Sequence, residues 1–260
     1  MKNIVTKAYS LLKKSPAEPD HSKRSFMGGV VGAAGLTIAP GVMLYQTAAA
    51  KPADQPVTDE VRWGMLVNVD ACTEDCTACV DACNDEHGLW PDPESMTDSQ
   101  WIRKLKVTDT QTGNSKTFPV MCQHCEHPPC VDVCPTGASF KRADGIVLVN
   151  MHTCIGCRYC MMACPYKARS FVHEDLHDQL PDSPRGKGCV ESCNMCVHKL
   201  DAGEGTTACA QACQKDGHQA ITFGDLNDPQ SEISQRLKSY GGAQIRADLG
   251  LNTGVRYQGL

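Results

Sequence analysis

The sequence predicts an α+β fold poor in regular secondary structure, built as two similar units related by a pseudo-twofold, with a hairpin and loops inserted between them. Three observations carry that expectation. The chain of 260 residues holds 17 cysteines, and sixteen of them fall into four groups, an internal repeat that outweighs any local pattern. Apolar runs are short, of strand length, and are punctuated by Gly, Pro and polar residues instead of following a sustained helical period. Aromatic residues make up 5% of the chain, and the 41% hydrophobic share counts the cysteines, so side-chain packing alone gives a thin core. Metal centres or disulfides are the usual substitutes.

The elements follow in order. Residues 1–50 carry the signs of an export signal. Ser22-Lys23-Arg24-Ser25-Phe26-Met27 precedes an apolar stretch from Gly28 to Tyr45, and small residues follow at Thr47 to Ala50. The stretch is short for a membrane span and contains several Gly and Pro40, so it reads as a cleaved signal, with a retained anchor as the competing reading. Residues 51–62 form a polar linker. Residues 63–121 hold a strand at Met65–Val69, the first cysteine group, and a hairpin whose arms are Trp101–Thr108 and Lys116–Val120 around a polar turn. Residues 122–175 form a central unit, with a strand at Ile146–Val149. Residues 176–228 hold the fourth group and a strand at Ile221–Phe223. Residues 229–260 contain an amphipathic helix at Ser231–Lys238 and a Gly-rich tail expected to wrap on the body or on a partner.

The four groups are Cys72, Cys76, Cys79 and Cys83; Cys122, Cys125, Cys130 and Cys134; Cys154, Cys157, Cys160 and Cys164; and Cys193, Cys196, Cys209 and Cys213. The third group reads C-x2-C-x2-C-x3-C-P, the bacterial ferredoxin run, in which the fourth Cys ligates the neighbouring cluster. Three close thiolates on a tight loop cap three iron corners, and the fourth corner needs a ligand from elsewhere. The second group also ends in Cys-Pro, so the two form a bacterial-ferredoxin-like unit with crossed ligands. Cys122, Cys125, Cys130 and Cys164 then hold one [4Fe–4S] cluster, and Cys154, Cys157, Cys160 and Cys134 hold another. The outer groups are left to pair in the same way. Cys72, Cys76, Cys79 and Cys213 would hold a third cluster, and Cys193, Cys196, Cys209 and Cys83 a fourth. Cys189 is left over, either a free thiol or a replacement for Cys193.

A cysteine-rich structural protein binding zinc is the competing class, since C-x2-C pairs also suit that metal. A third Cys close behind the pair in three of the four groups, and the Cys-Pro endings of two, argue against it. An odd number of cysteines argues against a disulfide scaffold. His124, His127 and His198 stand beside cysteines and read as hydrogen-bond donors to sulfur or as solvated groups. Lys141, Arg142, Arg158 and Lys167 read mainly as solvated charge. No nucleophile–base pair, phosphate loop or carboxylate dyad is recognisable, which predicts an electron carrier with no catalytic residues of its own. Residues 1–50 carry six Lys/Arg against two Asp/Glu, leaving 19 against 28 and a net near −9 for the rest, so nucleic acid is not an expected partner.

Several strings together resemble the four-cluster iron–sulfur subunits of respiratory molybdopterin oxidoreductases, the dimethyl-sulfoxide, polysulfide and tetrathionate reductase type. They are Cys122-Gln-His-Cys-Glu-His-Pro-Pro-Cys130, Cys134-Pro-Thr-Gly-Ala138, Cys154-Ile-Gly-Cys-Arg-Tyr-Cys-Met-Met-Ala-Cys-Pro-Tyr166 and Phe223-Gly-Asp-Leu-Asn-Asp-Pro229. The Lys-Arg-x-Phe-Met core is similar to the twin-arginine export motif, with Lys in place of the first Arg. Within the family, that signal and the C-x3-C opening at Cys72 look most like the periplasmic iron–sulfur subunit of the sulfite-reductase-associated membrane complex. The resemblance implies four [4Fe–4S] clusters with nested pairing and a periplasmic location on a membrane complex. It also implies a polytopic quinone-interacting partner of the polysulfide-reductase type, and further redox subunits such as a cytochrome or a molybdopterin subunit. Electron supply to a periplasmic molybdopterin oxidoreductase is the alternative role.

Overall fold

A computed structural model describes residues 56–90, 95, 97–177 and 179–260; the expected export signal and the start of the linker lie outside them. Strand β1 (Trp63–Asn68) is the centre of a three-stranded sheet. It runs antiparallel to β8 (Ile221–Asp225) and parallel to β9 (Val255–Gln258), with Met65 opposite both Phe223 and Val255. Its middle four residues are buried on both faces, which is why it reads as a continuous apolar run and not an alternating one. The expected strands at 65–69 and 221–223 are thus paired neighbours. The C-terminal tail packs on the body: β9 closes one edge of the sheet, and Tyr257 is 0% exposed.

Between β1 and the first helix the chain makes a short 3-10 turn (Val69–Ala71). Helix α1 (Ala78–His87) follows, ending at Gly88 in the left-handed conformation, a common helix stop. The expected hairpin is present as β2 (Ile102–Thr108) and β3 (Ser115–Met121), in unbroken antiparallel register from Ile102↔Met121 to Thr108↔Ser115. Its turn is held by Asp109, whose carboxylate accepts from Gln111 N at 2.8 Å and Thr112 Oγ1 at 2.7 Å. Pro119, which has no N–H to give, is tolerated because β2 and β3 form a two-stranded sheet with free outer edges.

The central part is made of short pieces: α2 (Pro129–Asp132), β4 (Ser139–Lys141), β5 (Val147–Val149), α3 (Tyr159–Ala163), β6 (Ser170–Phe171) and β7 (Val190–Glu191). Strands β4 and β5 pair, as do β6 and β7. Helices α4 (Val197–Asp201) and α5 (Ala208–Lys215) complete the cysteine-bearing region, and α1 packs against α5. Helix α6 (Glu232–Tyr240), capped by the Ser231 side chain on Ser234 N, lies on β8 and β1 with Ile233 fully buried. Gly224 beneath it leaves the room Ile233 needs, since a Cβ there would stand 3.0 Å from Ile233 Cγ2. Among the described residues no helix is long and apolar enough to cross a membrane.

The main core mixes aliphatic side chains from β1, β3 and β9 with eight cysteines. Cysteine is thus a substantial part of this core, in keeping with the thin side-chain packing expected from composition.

Candidate iron–sulfur centres

The cysteines are delivered in crossed pairs. On α1, Cys79 and Cys83 are one helical turn apart, and Cys209 and Cys213 are one turn apart on the facing α5. Cys79 meets Cys72, Cys76 and Cys213, and these four line one recess with Pro119 and Ala220. Cys83 meets Cys193, Cys196 and Cys209. The central region repeats the crossing with Cys130 and Cys134 around α2, and Cys160 and Cys164 around α3. Cys125 meets Cys122, Cys130 and Cys164, whereas Cys134, Cys154, Cys157 and Cys160 line a second recess. The structure thus brings all sixteen grouped cysteines together in four sets of four.

The four gatherings form a series. Cys79 of the first interacts with Cys209 of the second, and Cys193 of the second with Cys122 of the third. Cys130 of the third and Cys160 of the fourth share Arg169. Exposure marks one end: Cys157 is exposed, while Cys83, Cys193, Cys196 and Cys209 in the second site are all buried. Around Cys157 stand the exposed apolar side chains Ile155, Tyr159 and Met162.

Backbone donors aim at sulfur in the first, second and fourth sites. Ala220 N donates to Cys213 Sγ at 3.2 Å, Ala208 N to Cys196 Sγ at 3.4 Å, and Ser139 N to Cys134 Sγ at 3.3 Å. At Cys134 burial raises the thiol pKa, but the hydrogen bonds from Ser139 and Thr136 outweigh it and the net direction is down. Most other thiols go the opposite way. Burial first, then neighbouring cysteines, pushes Cys79 and Cys125 up to about 12. Cys196 also reaches about 12, chiefly through burial. Four thiols crowded in a dry recess resist ionising together unless positive charge joins them, which is what metal ions supply.

The local backbone explains the loops. Gly156 sits at φ 69° between Cys154 and Cys157, and a Cβ there would lie 2.3 Å from the Gly188 carbonyl oxygen. No other residue fits so close an approach. Lys104, projecting from the hairpin, donates through Nζ to the carbonyls of Thr73 at 2.5 Å, Glu74 at 3.0 Å and Cys76 at 2.6 Å, clamping the first loop.

A cluster rich in sulfide accepts hydrogen bonds, and the side chains fit one. Trp101 Nε1, His124 Nε2, Tyr166 Oη and Arg169 Nε and Nη1 are buried donors with no protein acceptor among the described residues. His124, between Cys122 and Cys125, accepts from Val147 N through Nδ1 at 3.0 Å, and burial, aided by Arg169, lowers its pKa to about 3. The neutral ring therefore carries its proton on Nε2, free to donate toward the cysteines. His198 instead pairs with Glu86 at 2.7 Å, and His127 is exposed.

Of the charges expected to be solvated, Lys141 pairs with Glu126 and Arg142 with Asp144 and Asp201, Arg158 lies 3.8 Å over the Phe171 ring, and Lys167 is exposed. Cys189 lies beside Cys154, its Sγ 3.3 Å from the Met151 carbonyl oxygen, away from the position of Cys193. Three neighbours of the sulfurs escaped the sequence reading: His87, Lys104 and Arg169. His87 is buried, bonding Ser183 Oγ at 2.9 Å and reaching Cys196 Sγ at 3.5 Å. Its position four residues after Cys83, on the same helix face, was the available signal.

Residues 114–226 match the 4Fe-4S dicluster domain family. The chain is 41% identical to the Hdr-like menaquinol oxidoreductase iron-sulfur subunit 1 of Archaeoglobus fulgidus, over 86% of this chain and 93% of that one. It is 38% identical to Protein NrfC of Escherichia coli, over 84% and 86%. It is 33% identical to a tetrathionate reductase subunit of Salmonella typhimurium, over 93% and 89%. With sixteen cysteines gathered in fours and relatives matched along nearly their full length, the chain belongs to the family of [4Fe–4S] electron-transfer subunits of oxidoreductases, distinct from their catalytic subunits.

Proposed function

We propose that the four gatherings are the ligand sets of four [4Fe–4S] clusters, and that the chain relays single electrons along them in the order in which they touch. Cys72, Cys76, Cys79 and Cys213 form the first set, and Cys83, Cys193, Cys196 and Cys209 the second. Cys122, Cys125, Cys130 and Cys164 form the third, and Cys134, Cys154, Cys157 and Cys160 the fourth. The observation that carries this is the crossing itself: each cysteine pair one turn apart sends its two sulfurs to different sites. Each cluster accepts and passes on one electron. The protein's part is to hold the sulfurs, exclude water from the inner sites and supply N–H donors that set the potentials. The two crossed pairs suggest a pseudo-twofold between the outer and central halves.

Anaerobic purification tests the reading. About four irons and four sulfides per set are expected, with the broad visible absorbance of such clusters. Zinc alone, or a colourless protein, ends it.

The partners follow from the likenesses. A relative named as part of a menaquinol oxidoreductase supports a quinone-interacting membrane subunit as one partner. The tetrathionate reductase likeness supports a molybdopterin subunit as an alternative second partner. The signal-like residues 1–50 support export of the folded, loaded chain by the twin-arginine route and a periplasmic site, and the subunit of the sulfite-reductase-associated complex is the closer reading within the family. Isolation of the native membrane complex tests both: a co-purified polytopic subunit is expected, and a soluble chain alone in the cytoplasm refutes the placement.

A further inference from the structure

Arg169 is 5% exposed, a buried guanidinium in the middle of the cysteine series. Its Nη2 donates to Cys130 Sγ at 3.1 Å and to Ser139 Oγ at 2.8 Å. Its charge also acts on Cys122 and Cys160. Ser139 in turn gives its backbone N–H to Cys134. The side chain thus touches the third set through Cys130 and reaches the fourth through Ser139, with its charge acting on Cys160 as well. No carboxylate pairs with it among the described residues, and Nε and Nη1 have no protein acceptor. An unpaired charge held this far from water is costly, and an Arg keeps its proton in any protein environment. A positive charge is kept there at a cost, between two sites that become more negative on reduction.

We propose that Arg169 is an electrostatic positioning residue shared by the third and fourth clusters: one permanent charge that raises the reduction potential of both and holds the electron at the central pair. This rests on the ligand sets proposed above. An electron arriving at either site adds one negative charge, and the guanidinium favours that reduced state. Because the same group donates to a sulfur of the third set and to Ser139, whose N–H donates to a sulfur of the fourth, the two sites are biased together.

The test is a potentiometric titration of the anaerobically isolated full chain, followed by electron paramagnetic resonance, with iron counted in every sample. In Arg169→Met two of the four potentials should fall, by at least about tenfold in the reduced-to-oxidised ratio at fixed poise, about 59 mV for one electron. The other two should stay in place. Arg169→Lys keeps the charge while losing the planar fork, and should bring both potentials back toward the parent. Full iron with unchanged potentials in Arg169→Met overturns the proposal, as does an equal fall in all four. If Arg169→Met loses iron, Arg169→Lys decides. Parent-like potentials there support the charge, and lowered potentials or iron loss in Arg169→Lys as well assign Arg169 to structure alone. An iron-free parent chain would instead sink the cluster reading itself.

Discussion

The outer and central cysteine pairs solve the same geometric problem with different helices. In the outer pair Cys83 and Cys213 lie inside α1 and α5, which run on to His87 and Lys215. In the central pair Pro135 and Pro165 follow Cys134 and Cys164 directly, and α2 and α3 stop after four and five residues. A proline drives the residue before it out of the helical region, and Cys164 is extended at φ −72°, ψ 113°. The crossing of sulfurs survives both designs, so the proline is not what makes it. What changes is the residue delivered next. The continued helix brings His87, whose pKa burial lowers to about 3, against Cys196 as a neutral ring. The stopped helix turns at once toward β6 and brings Arg169, permanently charged, against Cys130 and Cys160. One half of the molecule is lined by a neutral donor, the other by a fixed cation.

The sharpest way to break this comparison is to cut the crossing in each half. Cys134→Ser should cost the cluster built on Cys154, Cys157 and Cys160 and spare the one on Cys122, about four irons per chain. Cys83→Ser should likewise empty the site of Cys193, Cys196 and Cys209 and spare that of Cys72. Iron analysis with spectroscopy of the remaining signals checks both. Loss of the Cys122 or Cys72 site instead would mean uncrossed groups. Since cluster binding doubles as folding energy and eight cysteines sit in the main core, each variant should also melt well below the parent.

The role of the hairpin is the next largest test. Lys104→Met removes the donor that gathers three carbonyls of the loop from Thr73 to Cys76. The Thr73 and Glu74 carbonyls are exposed and turn to water, so only the half-buried Cys76 carbonyl is left short of a donor, at a cost of about 1 kcal/mol. The first site should lose iron faster under a chelator than the parent, while the central pair keeps its rate. Equal rates at all sites would show that the hairpin is not part of that centre.

How far the sequence could be read follows the same division. Cysteine spacing carries the gathering of sulfurs, because three of the four groups open with a close triplet and in every group the fourth member lies one turn beyond the third. The hairpin was legible from alternation and turn residues, β1 and β8 from short apolar runs, and α6 from its amphipathic pattern. Helices α1 and α5 were not: small and polar residues fill their faces, and their cysteines look inward without a wider apolar stripe. Lys104 and Arg169 were missed for a different reason. Their partners lie 28 to 39 residues away in the chain, and a single basic residue near a strand looks like solvated charge. Tail docking was open between body and partner, since parallel pairing of β9 with β1 depends on a contact across nearly the whole chain.

A smaller effect is expected at that tail. Tyr257 Oη accepts from Gln123 Nε2 at 3.1 Å and donates to the Pro119 carbonyl at 3.3 Å, tying β9 to the end of the hairpin. Tyr257→Phe keeps the ring packed on Phe118 and loses both bonds. A destabilisation of about 1–3 kcal/mol is expected, with iron content unchanged. A thermal melt of the loaded protein reads it. A loss of iron would extend the support of the centres to the tail.

The smallest effect should come from Cys189, and it sharpens what counts as a ligand. Its sulfur is buried beside Cys154 and hydrogen-bonded to the Met151 carbonyl, where a hydroxyl can make the same bond. The fourth set already has its four sulfurs, and Gly186 leaves only 3.1 Å between its own Cβ position and Cys189 Sγ. Cys189→Ser should therefore change neither iron content nor any potential. Its cost should stay near 1 kcal/mol, the usual size of a buried exchange that keeps its hydrogen bond. A loss of about four irons would make Cys189 a ligand in place of Cys154, and the crossing would then be looser in the central pair than in the outer one.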